Sequence, residues 1–344
     1  MSDYTLSVFG GSVTVRDISQ EKIGCLDADE YRLAVTPREQ YPMTVEGIRR
    51  STGWENRCIN EKELITEVLD LPNNGRTVRV WIYRPRKPFD VTDRKAFVYA
   101  HGGAFIAGTP FTDENLCRYL AEACDAVVFN VDYALAPELP YPNGVDDLAC
   151  VLEYVHANAE KLGIDADSIS VSGDSAGAML MLAAVLRGAY RFLRYQALFY
   201  PCITLNYEQI PVPWELSMFD IPKEQLPLVE PRLNLGRSDG GGNPTYLMLL
   251  RSLYLSKGGD VSSADVSPLY GTLGCLPETR IFTCEFDGLR PQGEYLGMRL
   301  TEAGVKTHVL RYRGIFHAFT EKIGVLPHAK DAVDCIRTDL EGLV

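Results

Sequence analysis

From about residue 76 the chain alternates short apolar runs with amphipathic stretches of helical period, the pattern of a largely parallel sheet covered on both faces. Strands are expected at Val78–Tyr83, Ala96–Ala100, Ala126–Val131, Ser168–Ser172, Ala197–Tyr200, Arg280–Phe286 and Thr307–Tyr312. Most lack strict alternation, as strands buried on both sides do. Helices are expected at Asp113–Cys124, Val145–Leu162, Ala176–Tyr190, Pro291–Ala303 and His328–Leu340. Pro291 suits a first helical turn, where a missing N–H costs nothing.

Two stretches break the alternation, residues 1–69 and 203–264. The second holds Pro211, Pro213, Pro222, Pro227, Pro231 and Gly240-Gly241-Gly242, so short helices joined by breakers are expected. Both stretches are read as a cap over a core made of residues 70–202 and 265–344. Tyr4, Phe9, Trp54, Trp214, Phe219, Leu226, Leu228, Tyr246 and Leu250 could wall a pocket under that cap. They show no spacing that fixes a geometry, and packing of cap on core is the expectation for each.

Composition narrows the class. The 344 residues are 46% hydrophobic and 23% charged, an ordinary globular balance, and no run approaches the roughly 18 apolar residues that span a bilayer. Lys plus Arg is 34 and Asp plus Glu is 46, giving 34 − 46 = -12. That charge repels nucleic acid and anionic lipid. The start carries no basic segment followed by an apolar one, so no secretory signal is expected. Nine cysteines without a CxxC pair suit reduced thiols in the cytoplasm. The five histidines form neither HxH nor HExxH, and no metal site is expected.

Ser175 stands in Gly173-Asp174-Ser175-Ala176-Gly177, between an apolar strand and a helix. A serine at such a sharp turn is held out above the sheet, with the helix N-terminus aimed at the same point. Upstream, His101-Gly102-Gly103-Ala104-Phe105 follows another strand, and its small residues let backbone amides approach a ligand closely. Gly103, Ala104 and Ala176 are the candidate donors to an oxyanion. His101 suits a loop-fixing role better than proton transfer.

A serine nucleophile needs a base and an anion to orient it. Of the histidines, His317 lies on a loop after a strand, where an α/β sheet places its chemistry. Asp287 ends the strand Arg280–Phe286, and Glu285 two residues earlier is its competitor. The order Ser175, Asp287, His317 is that of α/β hydrolases.

These residues resemble the hormone-sensitive-lipase-like family of α/β-hydrolase carboxylesterases. The resemblance runs through HGGA (101–104), DYALAPELPYP (132–142), GDSAG (173–177), DGLR (287–290) and HAF (317–319). It implies an α/β-hydrolase fold, a mostly parallel central sheet flanked by helices with a helical cap. It further implies an acyl-enzyme mechanism on esters of short or medium acyl groups, and no cofactor. Three departures stand out. Ala104 replaces a third glycine and adds a methyl beside the acyl site. Ala134 replaces an arginine in a segment read as scaffold, and Pro291 and Gln292 replace acidic residues after Asp287. An amidase or peptidase on the same fold and a non-catalytic receptor remain as alternatives. An exposed edge strand near the last helix would suit a homodimer.

Overall fold

The computed structural model describes residues 2–343 apart from 20, 23, 87–93, 207–213 and 237–243. Pro211, Pro213 and the Gly240-Gly241-Gly242 run lie outside the described residues. The chain begins with β1 (Ser2–Val8), β2 (Gly11–Asp17), α1 (Ala28–Val35), α2 (Val45–Ser51), β3 (Leu64–Asn73), β4 (Arg76–Pro85) and β5 (Arg94–Ala100). It continues through α3 (Glu114–Cys124), β6 (Ala126–Asp132), α4 (Asn143–Ala157), α5 (Ala159–Leu162), β7 (Ile164–Asp174), α6 (Ser175–Gly188) and β8 (Leu193–Phe199). The remainder is α7 (Leu226–Gly236), α8 (Pro244–Tyr254), β9 (Glu278–Phe286), α9 (Arg290–Glu302), β10 (Thr307–Phe316) and α10 (Pro327–Glu341).

Among the described residues these strands form one sheet in the order β1-β2-β10-β9-β8-β7-β5-β6-β4-β3. Strands β2, β10, β9, β8, β7, β5 and β6 run parallel, and the outer pairs β1/β2, β4/β6 and β3/β4 are antiparallel. Strand β5 shows how the pleat divides the core. Ala96, Val98 and Ala100 face α4 and α6, while Phe97 and Tyr99 face α3 and α10. Successive side chains leave a strand on opposite faces, so one buried apolar run feeds two cores. The chain moves outward from β5 to β6 and then crosses back to β7. The loops after β5 and β7 therefore leave side by side at a topological switch point, where such sheets bind ligands.

The first 69 residues are not all cap. The β1/β2 hairpin joins the sheet at one side and β3 at the other. Val13 and Val15 of β2 are buried, and Arg16 pairs with Asp331 of α10 at 2.8 Å, so the hairpin's alternation finds its partner across the whole fold. β2 pairs with β10 through Leu310↔Thr14, Arg311↔Val15 and Tyr312↔Arg16. The strand beside the last helix is thus covered by β2, and β1 is the outer strand on that side.

The long helix expected at Val145–Leu162 is divided at Asn158 into α4 and α5. Residues of α1, α7 and the segment before α7 gather over the ends of β9 and β10. There Leu26, Trp214, Phe219, Val229 and Leu233 pack on Phe286 and Phe316. Ile48 of α2 and Leu250 of α8 pack on Ile106, Ala107 and Ala136 around the loop after β5. The α1 start is capped by Asp27, whose carboxylate accepts the N–H groups of Asp29 and Glu30 at 2.9 and 3.1 Å, and Asp27 itself donates its N–H to Gly314 O at 2.8 Å. That cap fastens α1 to the end of β10.

Candidate active site

Ser175 opens α6 directly after β7 with φ at +51°. A serine in the left-handed region is strained, and the strain persists because the surroundings leave no alternative. Gly173 and Gly177 make the turn that tight. A Cβ on Gly177 would stand 2.2 Å from the carbonyl oxygens of Ala100 and His101, and one on Gly173 would stand 2.8 Å from Ala100 O. Nothing larger than hydrogen lets β5, β7 and α6 converge here.

Three sequence candidates meet at this point. Ser175 Oγ lies 2.9 Å from His317 Nε2, and His317 Nδ1 lies 2.6 Å from Asp287 Oδ2. Nδ1–H faces the carboxylate, which leaves the lone pair of Nε2 to accept the serine hydroxyl proton. Asp287 is held in turn, its other oxygen accepting the Leu289 N–H at 2.8 Å. The Tyr200 ring packs beside the imidazole with centroids 4.5 Å apart. Glu285, the competing acid, faces elsewhere and accepts the Gly314 N–H at 2.7 Å.

The loop after β5 turns through Gly103, Ala104 and Phe105 at φ +127°, +55° and +69°. Ala104 and Ala176 flank Ser175 in the wall of one cavity. Behind the loop, the 132–142 segment acts as a brace. Phe105 O accepts the Ala136 N–H at 3.0 Å, and Arg49 ties Ile106 O at 2.8 Å to Glu138 at 2.7 Å. Where Ala134 stands for arginine, its N–H binds Asp147, which pairs with Arg76 at 2.8 Å.

His101 is fully buried, stacked on Tyr133 with centroids 4.4 Å apart, and its Nδ1–H donates to Gly102 O at 2.8 Å. Burial pushes its pKa down to about 4, so it is neutral and props the loop. The unfolded chain titrates near 6.5. The stability from keeping His101 neutral is therefore fully present above about pH 6.5 and is lost as pH falls toward and through 4. This amounts to about 3 kcal/mol. Melting temperature measured from pH 7 to 4.5 should fall less steeply in His101→Gln than in the wild type; parallel slopes would refute the burial argument.

Sequence reasoning passed over the carboxyls beneath this loop. Asp174, the residue before the serine, accepts the Gly102 N–H at 2.6 Å and the Tyr99 hydroxyl at 3.0 Å. It thereby joins the elbow to the loop after β5. Asp113 accepts the Thr320 hydroxyl at 2.9 Å, and Thr320 is hydrogen-bonded to Tyr200. Burial pushes Asp113 up to about 6, Glu321 up to about 8 and Asp174 well upward, so Glu321 keeps its proton at neutral pH. An acid set inside an apolar strand end, as Asp174 is, was the available signal. Gln292 and Arg290 also serve as ties: Gln292 accepts the Ile203 N–H at 3.0 Å, and Arg290 donates to Glu285 O at 2.7 Å and Met218 O at 2.5 Å.

The cavity of about 340 Å³ is of a size that suits a small ligand. Trp54, Tyr246 and Leu250 line it, because α8 and the segment after α2 close over Ser175, and Leu250 and Tyr246 also pack as expected on the cluster around the loop after β5. Trp214 and Phe219 pack as expected, while Tyr4 is exposed on the outer strand. Beside Asp287, three further charged residues, Glu30, Arg232 and Lys322, share the wall. Among the described residues no group of three or more His, Cys, Asp or Glu side chains is arranged to hold a metal ion.

Comparison with known proteins bears on the fold and the family. A family model described as the alpha/beta hydrolase fold matches residues 97–321. An arylesterase of Saccharolobus solfataricus is 32% identical over 246 residues, 69% of this chain and 71% of that one. Esterase LipI of Mycobacterium tuberculosis is 30% identical over 316 residues, 90% of each. A solved esterase of Pyrobaculum calidifontis superposes with a TM-score of 0.68 at 29% identity, over 87% of this chain and 89% of that one. A strained serine elbow beside a glycine loop, with family and relatives agreeing over most of the length, places this chain in the hormone-sensitive-lipase-like family of α/β-hydrolase carboxylesterases.

Proposed function

We propose that this protein is a serine carboxylesterase acting on esters of short- to medium-chain acids, with Ser175 as nucleophile, His317 as base and acid, and Asp287 as the group that orients it. The observation that carries the reading is the continuous relay from Ser175 Oγ through His317 to Asp287, at 2.9 and 2.6 Å, opening on a largely apolar cavity. His317 Nε2 takes the Ser175 proton as Oγ bonds to the ester carbonyl carbon. The oxyanion so formed is received by the amides of Gly103, Ala104 and Ala176, each worth about 2.7–4 kcal/mol where such donors have been removed. Collapse breaks the bond to the alcohol oxygen, which leaves with the proton from His317. Water repeats the sequence on the acyl-serine and releases the acid.

A hydrolysis series of 4-nitrophenyl esters from acetate to dodecanoate tests this. Acetate and butyrate should be cleaved fastest, since the Ala104 methyl and α8 close the cavity, and rates should fall at the long chains. A folded wild type that cleaves none of them, and whose Ser175 resists an organophosphate, would return the fold to the receptor reading. A cytoplasmic setting is part of the proposal, supported by nine free cysteines. Within the described residues no helix is long and apolar enough to cross a membrane.

A further inference from the structure

One corner of the cavity wall is built differently from the rest. Lys322, in the turn after His317, places Nζ 2.6 Å from Glu30 Oε1 of α1, and the two side chains are only 1% and 2% exposed. The second carboxylate oxygen, Glu30 Oε2, is buried with no hydrogen-bond partner. Lys322 Nζ also lies 4.5 Å from the centre of the Trp54 ring. Arg232 of α7 adds a second cation, 4.9 Å over the Phe316 ring and donating to Ala34 O at 3.0 Å. Burial pushes its pKa down, and the nearby Glu30 charge pushes it back up. All three charged side chains border the same cavity as Ser175.

A buried ion pair adds little stability over apolar residues of the same volume, and an unpartnered buried acceptor is costly. An esterase pocket for plain alkyl chains has no use for either. A group that completes Glu30 Oε2 must donate a hydrogen. An ammonium group would meet Lys322 and Arg232, and a carboxylate would meet Glu30. A hydroxyl donates to the carboxylate and offers its own lone pairs to the cations.

We propose that this corner binds a hydroxyl group of the substrate, making the enzyme selective for esters hydroxylated in the acyl chain or in the alcohol. The inference rests on the esterase reading above. Two paired comparisons separate the sources of the hydroxyl: 4-nitrophenyl 3-hydroxybutyrate against 4-nitrophenyl butyrate, and glyceryl 1-monobutyrate against propyl butyrate. In one pair the wild type should favour the hydroxylated ester in kcat/KM by about tenfold or more. In Glu30→Leu/Lys322→Met, which removes both charges together, that ratio should fall to about one. A pair that served only to tie α1 to the turn after His317 would change all esters alike and leave the ratio standing, which would overturn the inference. Wild-type ratios near one in both pairs overturn it whatever the variant does, as does a preference for propyl hydrogen succinate over either hydroxylated ester. Failure to cleave any of these esters, hydroxylated or plain, marks the different failure, that of the esterase reading, and this inference falls with it.

Discussion

Ser175→Ala should lower kcat on 4-nitrophenyl butyrate by about a millionfold, leaving only the residual rate that oxyanion contacts and binding sustain. The change removes one oxygen and leaves in place Gly173 and Gly177, the two glycines that permit the turn, so the melting temperature should stay near that of the wild type. His317→Ala should cost a similar factor, because each residue is useless without the proton path to the other at 2.9 Å. The double variant should be no slower than either single one. Factors that multiplied instead would mean that the two residues act independently and that the relay is misassigned. A Ser175→Ala protein with full activity would remove the nucleophile from the proposal altogether.

The second large effect is expected at Asp287, where replacement by Asn should reduce kcat about ten-thousandfold with KM little changed. The carboxylate accepts the His317 Nδ1 proton at 2.6 Å, which keeps the Nε2 lone pair aimed at the serine. An amide nitrogen in that place favours the opposite tautomer, with the proton on Nε2, and the base is lost while the cavity keeps its shape. Glu285→Gln is the control. Its side-chain oxygen can still accept the Gly314 N–H, so kcat should stay within several-fold of the wild type. If steady-state kinetics gave the reverse ranking, the orienting role would pass to Glu285.

The contrast between these two acids shows how far the sequence reading reaches. Glu285 lies in the last residues of β9 and Asp287 just beyond it, two positions apart along a run whose side chains alternate, so period alone places them on the same side. Asp287 follows the last strand residue, Phe286, and its side chain is therefore free of the strand's alternation to turn toward the loop that carries His317. What Glu285 does instead depends on Gly314, at φ +70° near the end of β10, and no local pattern announces that contact. The split of α4 from α5 at Asn158 was missed for a related reason: the apolar period continues through the break, and the side chain of Asn158 turns back to Tyr154 O at 2.9 Å.

The chain itself determined the parallel core, the serine turn and the loop glycines, because each is a short-range matter of period, small residues and backbone conformation. Only the tertiary structure decided that the first hairpin closes the sheet beside β10, that Trp54, Tyr246 and Leu250 face the cavity, and that Glu30, Arg232 and Lys322 gather in one corner of it. A hairpin edge takes whichever strand lies next to it, and a charge is costly or useful according to what is buried with it. Those partners come from α1, α7 and the turn after His317, far apart in sequence, and only packing brings them together.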